Sequence, residues 1–198
     1  MIILSAGHDS KFHGCENPTF GIREHALALN ICDLISERYR NNSRVFFLET
    51  DHMVETYRDD LDSLDHKIAQ INALHKLTPV QLALEIHFNA SPEHTAMGAE
   101  CLYYRSKDGR RISAKGKAFC EIFQPLIEDF DGKYDGRPIK HFYTLLFLRR
   151  TNCPAIIIEP LFLDNAQDAA IITTHDGRIR LVNAICRGID QVFIKGNL

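Results

Sequence analysis

Leu82-Ala83-Leu84-Glu85-Ile86-His87-Phe88 reads as a strand, followed by the loop signal Asn89-Ala90-Ser91-Pro92. Alternation along a strand places Glu85 and His87 on one face, opposite Ile86 and Phe88. Upstream, Leu61 to Leu77 repeats Leu64, Ile68, Ile71 and Leu74 at helical spacing and stops at Thr78-Pro79. Before it come a short apolar run, Val45 to Leu48, and a helical pattern from Glu24 to Tyr39 carried by Leu27, Ile31, Leu34 and Ile35. The chain opens on a further apolar run, Ile2 to Ala6, ending at Gly7-His8.

Downstream, Glu100 to Tyr104 reads as a strand after Gly98, and Ile112 to Phe130 as an amphipathic helix. Phe142 to Leu148 and Ala155 to Ile158 read as strands. Thr173 to Ile194 reads as a closing helix with Ile179, Val182, Ile185, Ile189 and Val192 on one face. Strands alternating with helices predict an α/β fold: a central mostly parallel or mixed β-sheet of about six strands, with helices on both faces. No repeat, low-complexity tract or linker divides residues 1–198, so a single domain is expected.

The 198 residues suffice for one full core, and 45% hydrophobic with 25% charged residues is ordinary globular composition. A net charge of −3 and only doublets of arginine (Arg110-Arg111, Arg149-Arg150) argue against a nucleic-acid partner. No apolar run reaches the length of a membrane span, so no membrane partner is expected. The start, MIILSAGHDS, lacks the basic and apolar regions of a signal peptide, which predicts synthesis in the cytoplasm. Six scattered cysteines without a C-x-x-C pair read as reduced thiols. Cys15, in the loop after His8, is the one to watch.

Four residues carry the chemistry: His8, Glu24, His87 and Glu159. Three lie at carboxyl ends of predicted strands, where α/β sheets gather ligands, and Glu24 opens the first helix. Two imidazoles and a carboxylate are the donor types of a catalytic zinc that keeps one position open for water. A further carboxylate is the kind of group that takes a proton from that water. Glu159 ends the apolar strand Pro154-Ala155-Ile156-Ile157-Ile158, where an unpaired charge is costly. Each residue also has a plain reading: a solvated strand-end glutamate, a hydrogen-bonded core histidine, an acidic residue favoured by the helix dipole. His25 competes with Glu24. Glu85 or Asn89 could orient a ligand, and His13 and His141 read as surface residues that could reach a substrate. The remaining histidines (His52, His66, His75, His94, His175) read as surface residues.

Taken in order, several pieces together resemble the zinc-dependent N-acetylmuramoyl-L-alanine amidases of the Amidase_3 type. They are Gly7-His8, Glu24 at a helix start, Ile86-His87-Phe88-Asn89-Ala90, Gly98-Ala99-Glu100-Cys101-Leu102-Tyr103-Tyr104, Leu148-Arg149 ahead of Pro154, Pro154 to Glu159, and Phe162-Leu163-Asp164-Asn165. The resemblance spans essentially the whole chain. It implies a peptidoglycan substrate, cut at the amide between N-acetylmuramic acid and L-alanine of the stem peptide. It implies one Zn2+ held by His8, Glu24 and His87, with Glu159 as general base and Arg149 as a substrate or oxyanion contact. It also implies action on the cell wall after release, as an endolysin or autolysin. Two departures stand out: Asp9-Ser10 follows Gly-His where the family has glycine, and Glu85 stands where many relatives have serine. The rival readings are a zinc hydrolase of another amide (a peptidase or deacetylase), a non-catalytic wall-binding domain of the same fold, and a small-molecule binder.

Overall fold

The computed structural model describes residues 1–130 and 138–195. Strand β1 spans Ile2–Ala6, and a small hairpin, β2 (Glu16–Asn17) with β3 (Ile22–Arg23), leads into helix α1 (Glu24–Arg38). There follow β4 (Val45–Phe47), a 3-10 turn over Asp51–Thr56, α2 (Asp60–Leu77) and β5 (Leu82–Ile86). Then come β6 (Glu100–Tyr104), α3 (Ala114–Asp129), β7 (Lys140–Phe142), α4 (Leu146–Arg150), β8 (Ala155–Glu159), α5 (Ala166–Thr173) and α6 (His175–Ile194). Among the described residues no helix is long and apolar enough to cross a membrane.

The central sheet has six strands in the order β4-β1-β5-β8-β6-β7. From β4 to β8 the neighbours are parallel. β6 runs antiparallel to β8, and β7 runs with β6. The sheet is therefore mixed. Its reversal has a positional effect: the carboxyl ends of β1, β5 and β8 share one edge with the amino ends of β6 and β7, so that Glu100 pairs with Glu159.

Strand alternation divides the core in two. Ile2, Leu4, Leu84, Ile86, Ile156 and Ile158 face α1, α3 and α6 through Ile31, Phe123, Ile185 and their neighbours. Ile3, Ala83, Leu102 and Ile157 face α2 and α4 through Ile68, Ile71, Phe147 and Leu148. Continuing the second parity to the edge puts Ser5, Glu85, His87 and Glu159 on the α2/α4 side. Each fully buried Leu, Ile or Phe contributes about 1.5–3 kcal/mol, and this double layer supplies most of the stabilisation.

Two sequence expectations are corrected. Phe142 to Leu148 is not a strand: β7 ends at Phe142, and α4 begins at Leu146 after a turn. A short apolar run cannot distinguish strand from buried helix by periodicity alone, and both Phe147 and Leu148 are buried. The closing helix starts at His175, because the Thr174 side chain caps it by accepting from the Gly177 amide. Thr173 ends a separate helix, α5, whose own cap, Asn165, accepts from the amides of Gln167 and Asp168.

Gly188 lies where α6 crosses α3, and a Cβ there would sit 2.4 Å from Cε1 of Phe123, a fully buried ring with nowhere to swing. In an exposed helix Gly→Ala gains up to about 1 kcal/mol. Here Gly188→Ala should instead destabilise by about 1–3 kcal/mol through overpacking. The shift of the urea midpoint measures it. A midpoint at or above that of the parent would refute this account of the α3–α6 contact.

Candidate metal centre

The site begins where β1 ends. The Gly7 amide donates to the Ile86 carbonyl at 2.8 Å, which ties the exits of β1 and β5 together. Any Cβ on Gly7 would fall 2.4–2.6 Å from three atoms of the His87 ring, so glycine is required for close approach of that ring. The left-handed turn that frees the chain from the sheet belongs to His8 itself, at φ 58°. Histidine is among the residues that tolerate this conformation.

Glu24 is brought in by the amino end of α1. Among the described residues no side chain caps that helix. Instead the Glu24 amide donates to the Cys15 carbonyl (2.9 Å) and the His25 amide to the His13 carbonyl (3.1 Å), so the loop after His8 closes over the first turn. The Glu24 carboxylate is 4% exposed and has contacts on both oxygens. Oε1 lies 2.9 Å from His87 Nδ1 and accepts from the Phe88 amide at 3.1 Å. Oε2 lies 3.4 Å from His8 Nε2 and accepts from the Cys15 amide at 3.0 Å. Gly14, at φ 72°, passes so close that a Cβ would sit 2.3 Å from Glu24 Oε2.

One donor atom each from His8, Glu24 and His87 lies within 4.8 Å of the other two. That spacing and that donor set fit a single zinc ion with an open position. His25 is no rival to Glu24. Its Nδ1 is 2.8 Å from the Gly7 carbonyl oxygen and its Nε2 2.9 Å from Asp51 Oδ2, so both ring nitrogens are engaged away from the cluster.

Burial alone would push the Glu24 pKa up, but the hydrogen bonds and charge of His8 and His87 outweigh it and hold the carboxyl well below its ordinary value. His87 shows the reverse. Burial would lower its pKa, yet hydrogen bonds to Glu24 and Glu85 raise it to about 10. Glu85, 2% exposed, is pushed up by burial but held at about 2, first by the Lys67 ammonium and then by His87. Its Oε2 is 3.2 Å from His87 Nε2, and its Oε1 accepts from Lys67 Nζ at 2.9 Å.

Glu159, at the end of β8, joins the three potential ligands in the wall of one cleft of about 330 Å³. The other walls are Cys15, the first half of α2 (Asp60, Leu64, Lys67) and Leu145, Leu146 and Phe147. Burial lifts the Glu159 pKa to about 7; Glu100 and Glu24 add to the rise, while His87 and Lys140 oppose it. A second, shallower groove of about 450 Å³ meets the first at Glu159 and is lined by Asn89, Glu100, Lys140, Phe142 and Phe162. Glu100 is held there by Lys140 and by Asn89 Nδ2 at 3.2 Å. Sharing Asn89, Leu145 and Glu159 in their walls, the two depressions adjoin as a trough. The loops on either side of it are locked together: the Leu163 amide donates to the Asn89 carbonyl at 2.9 Å, and buried Asp168 accepts from the amides of Gly98 and Phe162.

Of the residues expected from sequence, His8, Glu24, His87 and Glu159 are brought together, and Arg149 is not. Arg149 is exposed near the end of α4, which feeds the amino end of β8. It lines grooves with Tyr104, Arg111 and Tyr143, near the opposite edge of the sheet. His13 and His141 do not line the cleft either. His66, His75 and His94 bond to Gln70, the Val80 amide and Asp164 respectively. The His52 side chain lies outside the described residues. Cys15 does line the cleft, but burial and the neighbouring Glu24 push its thiol far up, so it is no nucleophile. Sequence reading missed Lys67, Glu100 and Lys140. Lys67 did leave a signal: it stands three residues after Leu64 and four before Ile71, on the apolar face of α2.

The sequence and fold were compared with known proteins. No curated protein matches the chain directly. Among solved structures, an N-acetylmuramoyl-L-alanine amidase from Clostridium difficile 630 is 24% identical, with a TM-score of 0.79, covering 97% of this chain and 95% of that one. The CwlD amidase of Clostridioides difficile, solved with the GerS lipoprotein, is 20% identical with a TM-score of 0.77, covering 97% of each chain. The catalytic domain of CwlV, an N-acetylmuramoyl-L-alanine amidase from Bacillus (Paenibacillus) polymyxa var. colistinus, is 21% identical with a TM-score of 0.73, again over 97% of both. At these identities the likeness establishes the fold. The family rests on the sequence model for Amidase_3, N-acetylmuramoyl-L-alanine amidase, which matches residues 2–191. With nearly the full length matched and the sheet edge carrying two histidines and two glutamates, this chain belongs to the Amidase_3 family of N-acetylmuramoyl-L-alanine amidases.

Proposed function

We propose that His8, Glu24 and His87 hold one zinc ion and that Glu159 is the general base for hydrolysis of the peptidoglycan amide joining N-acetylmuramic acid to L-alanine. The single observation carrying this reading is the convergence of donor atoms from His8, Glu24 and His87 within 4.8 Å, in a cleft that Glu159 also lines. When bound, zinc would bring the pKa of a coordinated water to about 7 and polarise the amide carbonyl.

The chain's own groups do the rest. Glu159, with a proton affinity set near neutrality, takes a proton from the attacking water. It then delivers that proton to the departing alanine nitrogen, since an amide does not cleave without protonation of the leaving amine. The trough on both sides of Glu159 suits a substrate that extends in two directions, with glycan on one side and peptide on the other. The apolar wall of Leu64, Leu145 and Leu146 keeps water away from one flank. Arg149, near the far edge, takes no part in this step.

Glu159→Gln should keep zinc bound and lower the hydrolysis of purified sacculi by about 10²–10⁴-fold. A variant lysing sacculi at the parent rate would remove Glu159 from the mechanism. His87→Ala should lower zinc content and activity together, as read by metal analysis beside the lysis assay. Full zinc occupancy in that variant would mean that His87 is not a ligand. Mass spectrometry of the products should find a free L-alanine amine with the glycan intact. Cleavage within the stem peptide, or loss of acetyl groups, would identify the chain as a peptidase or a deacetylase.

A pH effect follows from the raised pKa of His87. Without metal this ring keeps its proton up to about pH 10, so zinc has to displace it. Below that pH, affinity rises with pH, by about tenfold per unit for one displaced proton. Zinc titrations between about pH 6 and 8 check the slope. An affinity independent of pH would contradict the role of His87.

A further inference from the structure

We propose that Glu85, clamped by Lys67, is a positioning residue: it holds the proton of His87 on Nε2 and so presents Nδ1 to the metal. The inference rests on the zinc reading above but concerns residues outside the ligand set.

The argument starts with the two nitrogens of His87. Nδ1 lies 2.9 Å from Glu24 Oε1 and therefore faces the cluster. Nε2 lies on the other side of the ring, in ion-pair contact with Glu85 Oε2 at 3.2 Å. An ionised carboxylate accepts and never donates, and in the metal-free site each ring nitrogen faces one, so both hold a hydrogen. A metal bound beside Glu24 would displace the one on Nδ1 and leave the one on Nε2 to Glu85. Carboxylate, imidazole and metal in series is the arrangement that fixes both the tautomer and the ring plane of a histidine ligand. The period of β5 makes it possible, because residues two apart share a face.

Glu85 needs an anchor of its own. It is 2% exposed, and a lone carboxylate there would be strongly unfavourable. Lys67 of α2 supplies the counter-charge from an equally buried position, with Nζ 2.9 Å from Glu85 Oε1. The same ammonium donates to the Ala6 carbonyl at 2.6 Å, on the last residue of β1 and two residues before His8. One cation thus ties α2 to the exits of both strands that carry the histidines. On the other side the His87 ring rests against Gly7, where any Cβ would collide with it. Filling this space with two apolar side chains would pack the core without burying charge. The ionic chain therefore has a use beyond packing, and the geometry assigns it to His87.

The test separates an acceptor for His87 from mere core filling. Lys67→Met combined with Glu85→Leu removes both charges at once and leaves no buried ion unpaired. Lys67→Met combined with Glu85→Gln also removes both charges but keeps a carbonyl oxygen facing Nε2. Zinc affinity is measured by competition with a chromophoric chelator, and the melting midpoint of each metal-free protein is recorded alongside. The Met/Leu pair should bind zinc about 10–100-fold more weakly than the parent while its metal-free midpoint stays near the parent value. The Met/Gln pair should recover most of the lost affinity. Zinc binding by the Met/Leu pair within about twofold of the parent would overturn the proposal, as would equal losses in both pairs. Nitrogen-15 shifts of His87 in the zinc-loaded parent provide a second reading that needs no variant to fold. Metallation at Nδ1 with a protonated Nε2 supports the assignment, and metallation at Nε2 ends it. A parent that binds no zinc at all would instead overturn the metal centre itself.

Discussion

A carboxylate sealed from water on the first turn of a helix must be met by positive charge or by hydrogen-bond donors, and Glu24 is met by both. Two backbone amides, from Cys15 and Phe88, and two imidazoles, from His8 and His87, converge on its two oxygens. Those four contacts tie the loop after β1 and the exit of β5 to the start of α1. Removing the carboxylate would leave three segments without a common anchor. The same arrangement makes the place suited to a cation, because the groups gathered around Glu24 are themselves ligand types. Glu24 is thus at once the knot of the local fold and the chemical centre of the site.

The mixed sheet decides what surrounds that knot. Four parallel strands bring His8, His87 and Glu159 to one edge by their carboxyl ends. The reversal at β6 adds residues from strand beginnings, so Glu100 and Lys140 arrive beside Glu159 from the opposite chain direction. Glu100 raises the pKa of Glu159 and Lys140 lowers it. Burial remains the leading influence on Glu159, and it leaves this carboxyl poised near neutrality.

Much of this was legible in the residues themselves. Apolar runs of strand length between helical patterns gave the α/β class and most elements within a residue or two. The site candidates emerged because His8, His87 and Glu159 each follow an apolar run and Glu24 opens a helix. Where reading failed, tertiary context had replaced local pattern. Leu145 to Leu148 looks like any buried strand until the turn after Phe142 shows a helix. Gly7 looks like a hinge, but its purpose is to make room for a ring that arrives from a strand some eighty residues later. Arg149 matched by position in a motif, and only the topology reveals that α4 leads to the end of β8 away from His8, Glu24 and His87. Lys140 gave no local sign and Glu100 showed only as part of the motif Gly98-Ala99-Glu100; their place beside Glu159 comes from strand direction, which the sequence does not encode locally.

The reversed pair of strands also sorts the surface into parts that evolution or an engineer can alter freely and parts that are not free. Connections entering β6 border the trough, so changing residues 89–99 changes the space offered to sugar and peptide. The turn leaving β6, residues 105–113, projects from the other end of the sheet. A reporter or an extra binding module grafted into that turn would sit a full strand length from the edge that carries His8, His87 and Glu159.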